Sequence, residues 1–126
     1  MTILTEGSRK ADFMVSEANA YRSRDEGTVT IPANTTLEAG TVMGVITSSG
    51  KYVRQDSNAA NGSQNHAGLL FEPLVNDTGS AVDSAATIVV RDAEVEKAKL
   101  TYEDSATAGE ITAADAALAG LGIIVR

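Results

Sequence analysis

The chain has 126 residues, no cysteine and a net charge of −7 from 17 acids and 10 bases, which allows one domain around a single core and excludes disulfide frameworks and thiolate chemistry. Nucleic acid is not an expected partner, because phosphate contacts need clustered Lys and Arg. Aromatic residues make up 4% of the chain and tryptophan is absent, so the core must come from Val, Ile, Leu and Ala, and oligomerisation is the expected source of further stability.

The opening MTILTEGSRK has no apolar run of signal-peptide length, and no later stretch is long enough to span a bilayer. The chain is therefore expected to be made and to fold in the cytoplasm, with no membrane partner. Residues 13–27, FMVSEANAYRSRDEG, place three apolar residues ahead of Ser16-Glu17 and a cluster of Arg22, Arg24, Asp25 and Glu26. Taken alone, this cluster reads as a solvated charge run.

From residue 27 the spacing of Gly, Pro, Asn and Ser shortens, and Val/Ile/Thr-rich runs repeat between them, as in a β protein. Thr28 to Ile31 ends at Pro32-Ala33-Asn34. Thr41 to Thr47 and Lys51 to Arg54, joined by Ser48-Ser49-Gly50, predict a β-hairpin. The polar run 56–66 predicts a loop. Residues 67–75, AGLLFEPLV, are apolar enough to be buried, and Pro73 marks a strand end or edge. A turn at 76–80 precedes a strand over 85–91. In DAEVEKAKLTY (92–102) composition favours helix, whereas the apolar positions alternate with a slip at Lys97, which predicts two strands joined by a bend. Thr112 is the expected cap of a helix over 113–121, stopped by Gly120 or Gly122, and residues 122–125 form a closing strand.

Motifs for chemistry are lacking. His66 lies in the polar loop with no nucleophile elbow nearby, and reads as a surface residue. Asp77 to Asp83 lacks the ligand spacing of a calcium loop, and Gly120-Leu121-Gly122 precedes no helix that could bind phosphate. Asn-x-Ser/Thr triplets at Asn34, Asn61 and Asn76 are what a loop-rich chain produces by chance. No catalytic residue, metal, cofactor or small-molecule substrate is expected.

Five stretches in order, SEANAYRSRD (16–25), LEAGTVMGVITSSGKYV (37–53), AGLLFE (67–72), IVVRDAEV (88–95) and LAGLGIIVR (118–126), make residues 13–126 resemble the head decoration proteins of tailed bacteriophages and prophages, the lambda-like capsid decoration and stabilisation proteins. The lambda protein's tryptophans are lacking here and the amino-terminal wording differs, so its detailed contacts are not carried over. The resemblance implies a non-enzymatic virion protein on the outer surface of the capsid, made in the host bacterial cytoplasm. It implies a homotrimer at three-fold positions of the expanded head that binds the major capsid protein and stabilises the shell against internal DNA pressure. The implied fold is mainly β, α+β with little helix: a small β-clip or barrel-like domain at 27–126, a flexible capsid-binding arm at 1–26 and one short carboxy-terminal helix. In the arm, Phe13, Met14 and Val15 would add a strand to a capsid sheet. Ser16, Glu17, Asn19 and Ser23 would complete the contact, and Arg22, Arg24 and Asp25 would fix its register through capsid charges. Removing residues 1–26 would then leave the body folded. The alternative function is a β-rich tail, fibre or adhesin-like module binding host surfaces through the polar loop.

Overall fold

Alternation along three strands organises the molecule. The structure, a computed structural model, describes residues 7–126. Its strands are β1 (Met14–Glu17), β2 (Arg24–Ile31), β3 (Thr35–Leu37), β4 (Val42–Val45), β5 (Tyr52–Arg54), β6 (Gly68–Leu70), β7 (Leu74–Asn76), β8 (Val82–Val89), β9 (Ala93–Val95) and β10 (Ile123–Val125). One α-helix, α1 (Ala108–Gly120), precedes β10. Strands β2-β5-β4-β6-β8 close into a barrel, β1-β9-β10 form a second sheet, and β3-β7 a two-stranded ribbon. The fold is therefore mainly β with a small barrel and one helix near the carboxy terminus, as expected.

Successive side chains of a strand point to opposite faces, and β4, β6 and β8 use both faces. Met43, Leu70 and Ile88 point into the barrel with Val29, Ile31, Leu37 and Ala86. Their neighbours Val42, Leu69 and Val89 point outwards into a second core with Phe13, Phe71, Val95, Leu118 and Ile123. That second core is roofed by the β1-β9-β10 sheet and α1. The longest ladder pairs β2 with β8 antiparallel, from Arg24↔Val89 to Ile31↔Val82. A single parallel contact, Val29↔Tyr52, closes the barrel.

The hairpin expected around Ser48-Ser49-Gly50 is present, with Met43↔Arg54 and Val45↔Tyr52 in antiparallel register. In 92–102 the outcome is divided. Residues 93–95 form β9, but Lys97–Lys99 form a single 3-10 turn and Thr101 makes only an isolated parallel bridge to Thr41, so the second predicted strand is not formed. Lys97 and Lys99 are exposed there, with Lys97 Nζ 2.9 Å from Asp115 and Lys99 Nζ 3.6 Å from Asp12.

The helix begins at Ala108, four residues before Thr112. Its cap is Thr107, whose hydroxyl accepts from the Glu110 amide while the Glu110 carboxylate accepts from the Thr107 amide, a reciprocal capping box. Thr112 is interior and donates to the Ala108 carbonyl. Of the two candidate stops, Gly122 carries the left-handed backbone at φ +83, which glycine alone adopts without strain.

The boundary expected at residue 26 does not coincide with a break in packing. Residues 14–17 pair with β9, residues 24–26 already pair with β8, and Phe13 is fully buried. Removing residues 1–26 would strip one strand from the roof, three residues from the main ladder and one of the two phenylalanines from the second core, so the remainder is not expected to stay folded. Phe13→Ala should cost about 3–5 kcal/mol through lost burial and the cavity left behind. Thermal or urea unfolding followed by circular dichroism checks this, and deletion of residues 1–26 should give no cooperative transition.

Tyr102 donates its hydroxyl to Asp115. Burial, and then the carboxylate, push its phenol well above the usual range. The neutral phenol is thus favoured in the folded state. Its stabilisation is complete below pH 10, the ordinary value, and is lost as pH rises from there towards the folded value. Tyr102→Phe should reduce the fall in stability above pH 10, read from unfolding midpoints across an alkaline series.

Candidate functional site

The amino-terminal stretch is laid onto the body one residue at a time. Ser8 donates its amide to the Glu38 carboxylate at 3.1 Å and accepts from the Ala39 amide at 2.9 Å through its hydroxyl. The Ala11 amide donates to the Phe71 carbonyl at 2.8 Å. Asp12 leads into Phe13, whose ring is buried and whose carbonyl accepts from the Glu96 amide at 2.8 Å. An apolar side chain flanked by main-chain bonds on both sides is a fixed anchor point.

Beyond that anchor, β1 runs antiparallel to β9, with a shift in register between Met14 and Ser16. Such a bulge re-aims side chains, and Val15 stands out of it, 55% exposed. The chain then turns through Asn19–Tyr21 and returns as β2. Ser23 holds this turn: it is fully buried, accepts from the Ala18 amide at 3.0 Å and donates to the Asp92 carbonyl at 2.7 Å. A buried hydroxyl with both functions satisfied stabilises, whereas the same groups left unmatched would cost about 1–3 kcal/mol.

The charges of this stretch are paired within the chain. Arg24 grips both carboxylate oxygens of Glu17 and lies 4.1 Å from the centre of the Phe71 ring. Lys10 lies 5.4 Å from the same ring. Asp25 pairs with Arg91 at 2.8 Å, and Arg22 approaches Asp92 at 3.5 Å while remaining largely exposed. Arg24 is thus a fork-shaped cation held by a carboxylate and an aromatic face, the arrangement arginine suits better than lysine.

The ten residues expected to bind a partner therefore separate by depth. Phe13 and Ser23 are buried; Met14, Glu17 and Arg24 are half-buried; Val15, Ser16, Asn19, Arg22 and Asp25 are exposed. The outward face of the β1-β9-β10 sheet carries a row across its strands, Ser16 opposite Glu94 and Glu94 opposite Ile124. A shallow depression of about 310 Å³ beside it is lined by Ser16, Ala18, Arg22, Asp92, Glu94 and Ile124 among others. Ile124, 50% exposed, was not expected at a site. Its signal was the alternation of Gly-Ile-Ile-Val, which places one isoleucine in the core and the next outside.

The remaining candidates stay apart from this face. Burial lowers the pKa of His66, with Glu103 acting in the opposite direction, and no hydrogen bond joins it to a serine or acid among the described residues. No group of three or more His, Cys, Asp and Glu among the described residues is placed to hold a metal ion. No described helix is long and apolar enough to cross a membrane.

Arg24→Ala removes the ion pair and the ring contact together, and the released Glu17 stays half-buried. The expected loss of folding stability is about 1–2 kcal/mol, near the lower end for charged hydrogen bonds because both partners keep some contact with water. Arg24→Lys should recover part of it. Urea unfolding of the three proteins measures both.

A family model of the bacteriophage lambda head decoration protein D matches residues 3–123, all but the first two and last three residues of the chain. No curated protein matches it significantly. A match over almost the entire length spans both cores, the paired amino-terminal stretch and the helix. The chain belongs to the bacteriophage lambda head decoration protein D family.

Proposed function

We propose that the chain decorates the outer surface of the expanded phage head as a homotrimer at three-fold positions, binds the major capsid protein there and stabilises the shell. The observation that carries this reading is the family match over residues 3–123. Membership supports a capsid decoration role and a place on the virion. The trimer, the capsid contact and the stabilisation are the proposal. It assigns no catalysis, cofactor or nucleic-acid contact.

In this reading the stretch 13–25 works as a folded edge. Phe13 and Ser23 hold it in place, and Val15, Ser16, Asn19, Arg22 and Asp25 meet the capsid. β1 is the outermost strand of its sheet, and an outermost strand can pair with an extended segment of a partner while side-chain pockets add specificity. Arg22 is the charge best exposed for register. Arg24 supports the edge from behind.

Stabilisation follows from linkage: a ligand that binds the expanded shell and not its disrupted form adds free energy to the intact one. A trimer strengthens the effect, since tethered contacts that engage together raise avidity by roughly 10²- to 10⁴-fold over one alone. The acidic body would face solvent, where like charge keeps copies apart and soluble.

Val15→Asp places a carboxylate at the centre of the proposed contact without entering either core. Head binding should fall by at least about tenfold, the effect of 1.4 kcal/mol per contact, with the unfolding midpoint unchanged. Co-sedimentation with expanded heads reads the first and thermal unfolding the second. Undiminished binding would remove this edge from the interface; electron microscopy showing no density at three-fold positions with the parent chain would remove the reading itself.

A further inference from the structure

The polar loop between β5 and β6 contains the dipeptide Asn61-Gly62. In water this pairing is the most labile that asparagine forms, because glycine offers no side chain to hinder its own nitrogen. That nitrogen, once deprotonated, attacks the Asn61 side-chain carbonyl carbon. A nitrogen–carbon bond forms, the bond to the side-chain nitrogen breaks and ammonia leaves with the proton. Water then opens the five-membered imide at either carbonyl, giving aspartate or isoaspartate. The first adds a negative charge and the second also lengthens the main chain.

Gly62 is not easily replaced, and Asn61 is tied into the loop. Gly62 has φ +106, and a Cβ there would lie 2.1 Å from the Thr47 hydroxyl and 2.8 Å from the Val45 carbonyl oxygen, so only glycine fits. Asn61 accepts from the Ser63 amide at 3.1 Å and hydroxyl at 2.6 Å through its side-chain oxygen, and its main-chain carbonyl accepts from the Thr47 amide at 2.9 Å. These bonds seat the loop on the end of β4 with Ser63 buried. The fold thus requires the glycine that makes this dipeptide chemically fragile.

The same bonds restrain the reaction. The Gly62 amide, the nucleophile, donates at 2.8 Å to the side-chain oxygen of Gln64. The Gln64 carbonyl accepts at 2.9 Å from the side chain of Gln55, which is itself buried. The Ser63 hydroxyl does polarise the carbonyl under attack, which taken alone would speed the step. Polarisation has no effect, however, while the attacking nitrogen is held elsewhere and the Asn61 side chain is fixed by Ser63.

We infer that Asn61-Gly62 is a deamidation site that the folded loop keeps closed, with the Gln64 side chain as the group that holds the nucleophile away. Reaction then requires the loop to open, and its rate is the unfolded-chain rate multiplied by the open fraction. For a protein that persists on a particle without replacement, the closed loop sets a chemical lifetime.

The test incubates the full chain at mildly alkaline pH, folded and in urea, and follows Asn61 by peptide mass spectrometry, which detects the mass gain of an amide-to-acid exchange and separates isoaspartate by retention. Deamidation at Asn61 should be at least about tenfold slower in the folded protein, the factor that a local opening of modest cost produces. Gln64→Ala should raise the folded rate severalfold with no change in the urea rate and little change in the unfolding midpoint. Equal rates folded and unfolded would overturn the closed site. A folded Gln64→Ala rate equal to that of the parent would overturn the role of Gln64. Ser63→Ala gives a second reading: faster reaction supports restraint, and slower reaction would mean that polarisation dominates and would overturn the inference.

Discussion

Packing on both faces of β4, β6 and β8 is the constraint on which the rest of the structure depends. Each contributes a neighbouring pair, Val42 and Met43, Leu69 and Leu70, Val89 and Ile88, one to each core. A one-residue slip in any of these strands would exchange the two sets, so register, barrel closure and the roof sheet are specified together. With few aromatic residues, this sharing lets aliphatic side chains support two cores from one set of strands. It also explains why the amino-terminal stretch is structural: the outer core is left open unless Phe13 and β1 cover it.

Legibility in the sequence followed the distance over which each element finds its partner. The hairpin at 42–54 was readable because its strands are adjacent and its turn is polar. The helix and closing strand were readable from an alanine-rich run and a glycine stop, although the cap was misplaced. The pattern Thr107-Ala-Gly-Glu110 was the signal, obscured by a glycine in the first turn. The second half of 92–102 failed because alternation at Ala98, Leu100 and Tyr102 resembles a strand, while the partner it needs is reduced to one bridge at Thr41.

The stretch 13–25 was distinct in the sequence, and its geometry was not legible there. It stands out by composition, and two of its exposed members, Ser16 and Arg22, line the depression beside the molecule's second sheet. Nothing local reveals that Arg24 is held by Glu17 and Phe71, or that Ser23 is buried against Asp92, since Phe71 and Asp92 lie far along the chain. Charge runs read as solvated when their partners are distant in sequence. Ile124 was missed for a related reason: an apolar closing strand reads as wholly internal until its outward face is seen to lack a covering layer.

Strand β9 lies between β1 and β10, so three segments drawn from the two ends and the later middle of the chain must meet. Proteins emerge from the ribosome amino terminus first, and here the first strand waits for a partner some eighty residues later, then for a third strand at 123–125. Closing so long a loop carries an entropic cost that grows with its length. The barrel can assemble earlier, from β2 to β8, but the roof has to wait until synthesis passes Val125, where the Arg126 amide bonds the Val95 carbonyl and the Lys97 amide bonds the Arg126 carbonyl. Until then Phe13 has no complete pocket and the outer face of the barrel is uncovered. A chain lacking β10 would therefore leave β9 open on one side and the 13–25 edge unsupported.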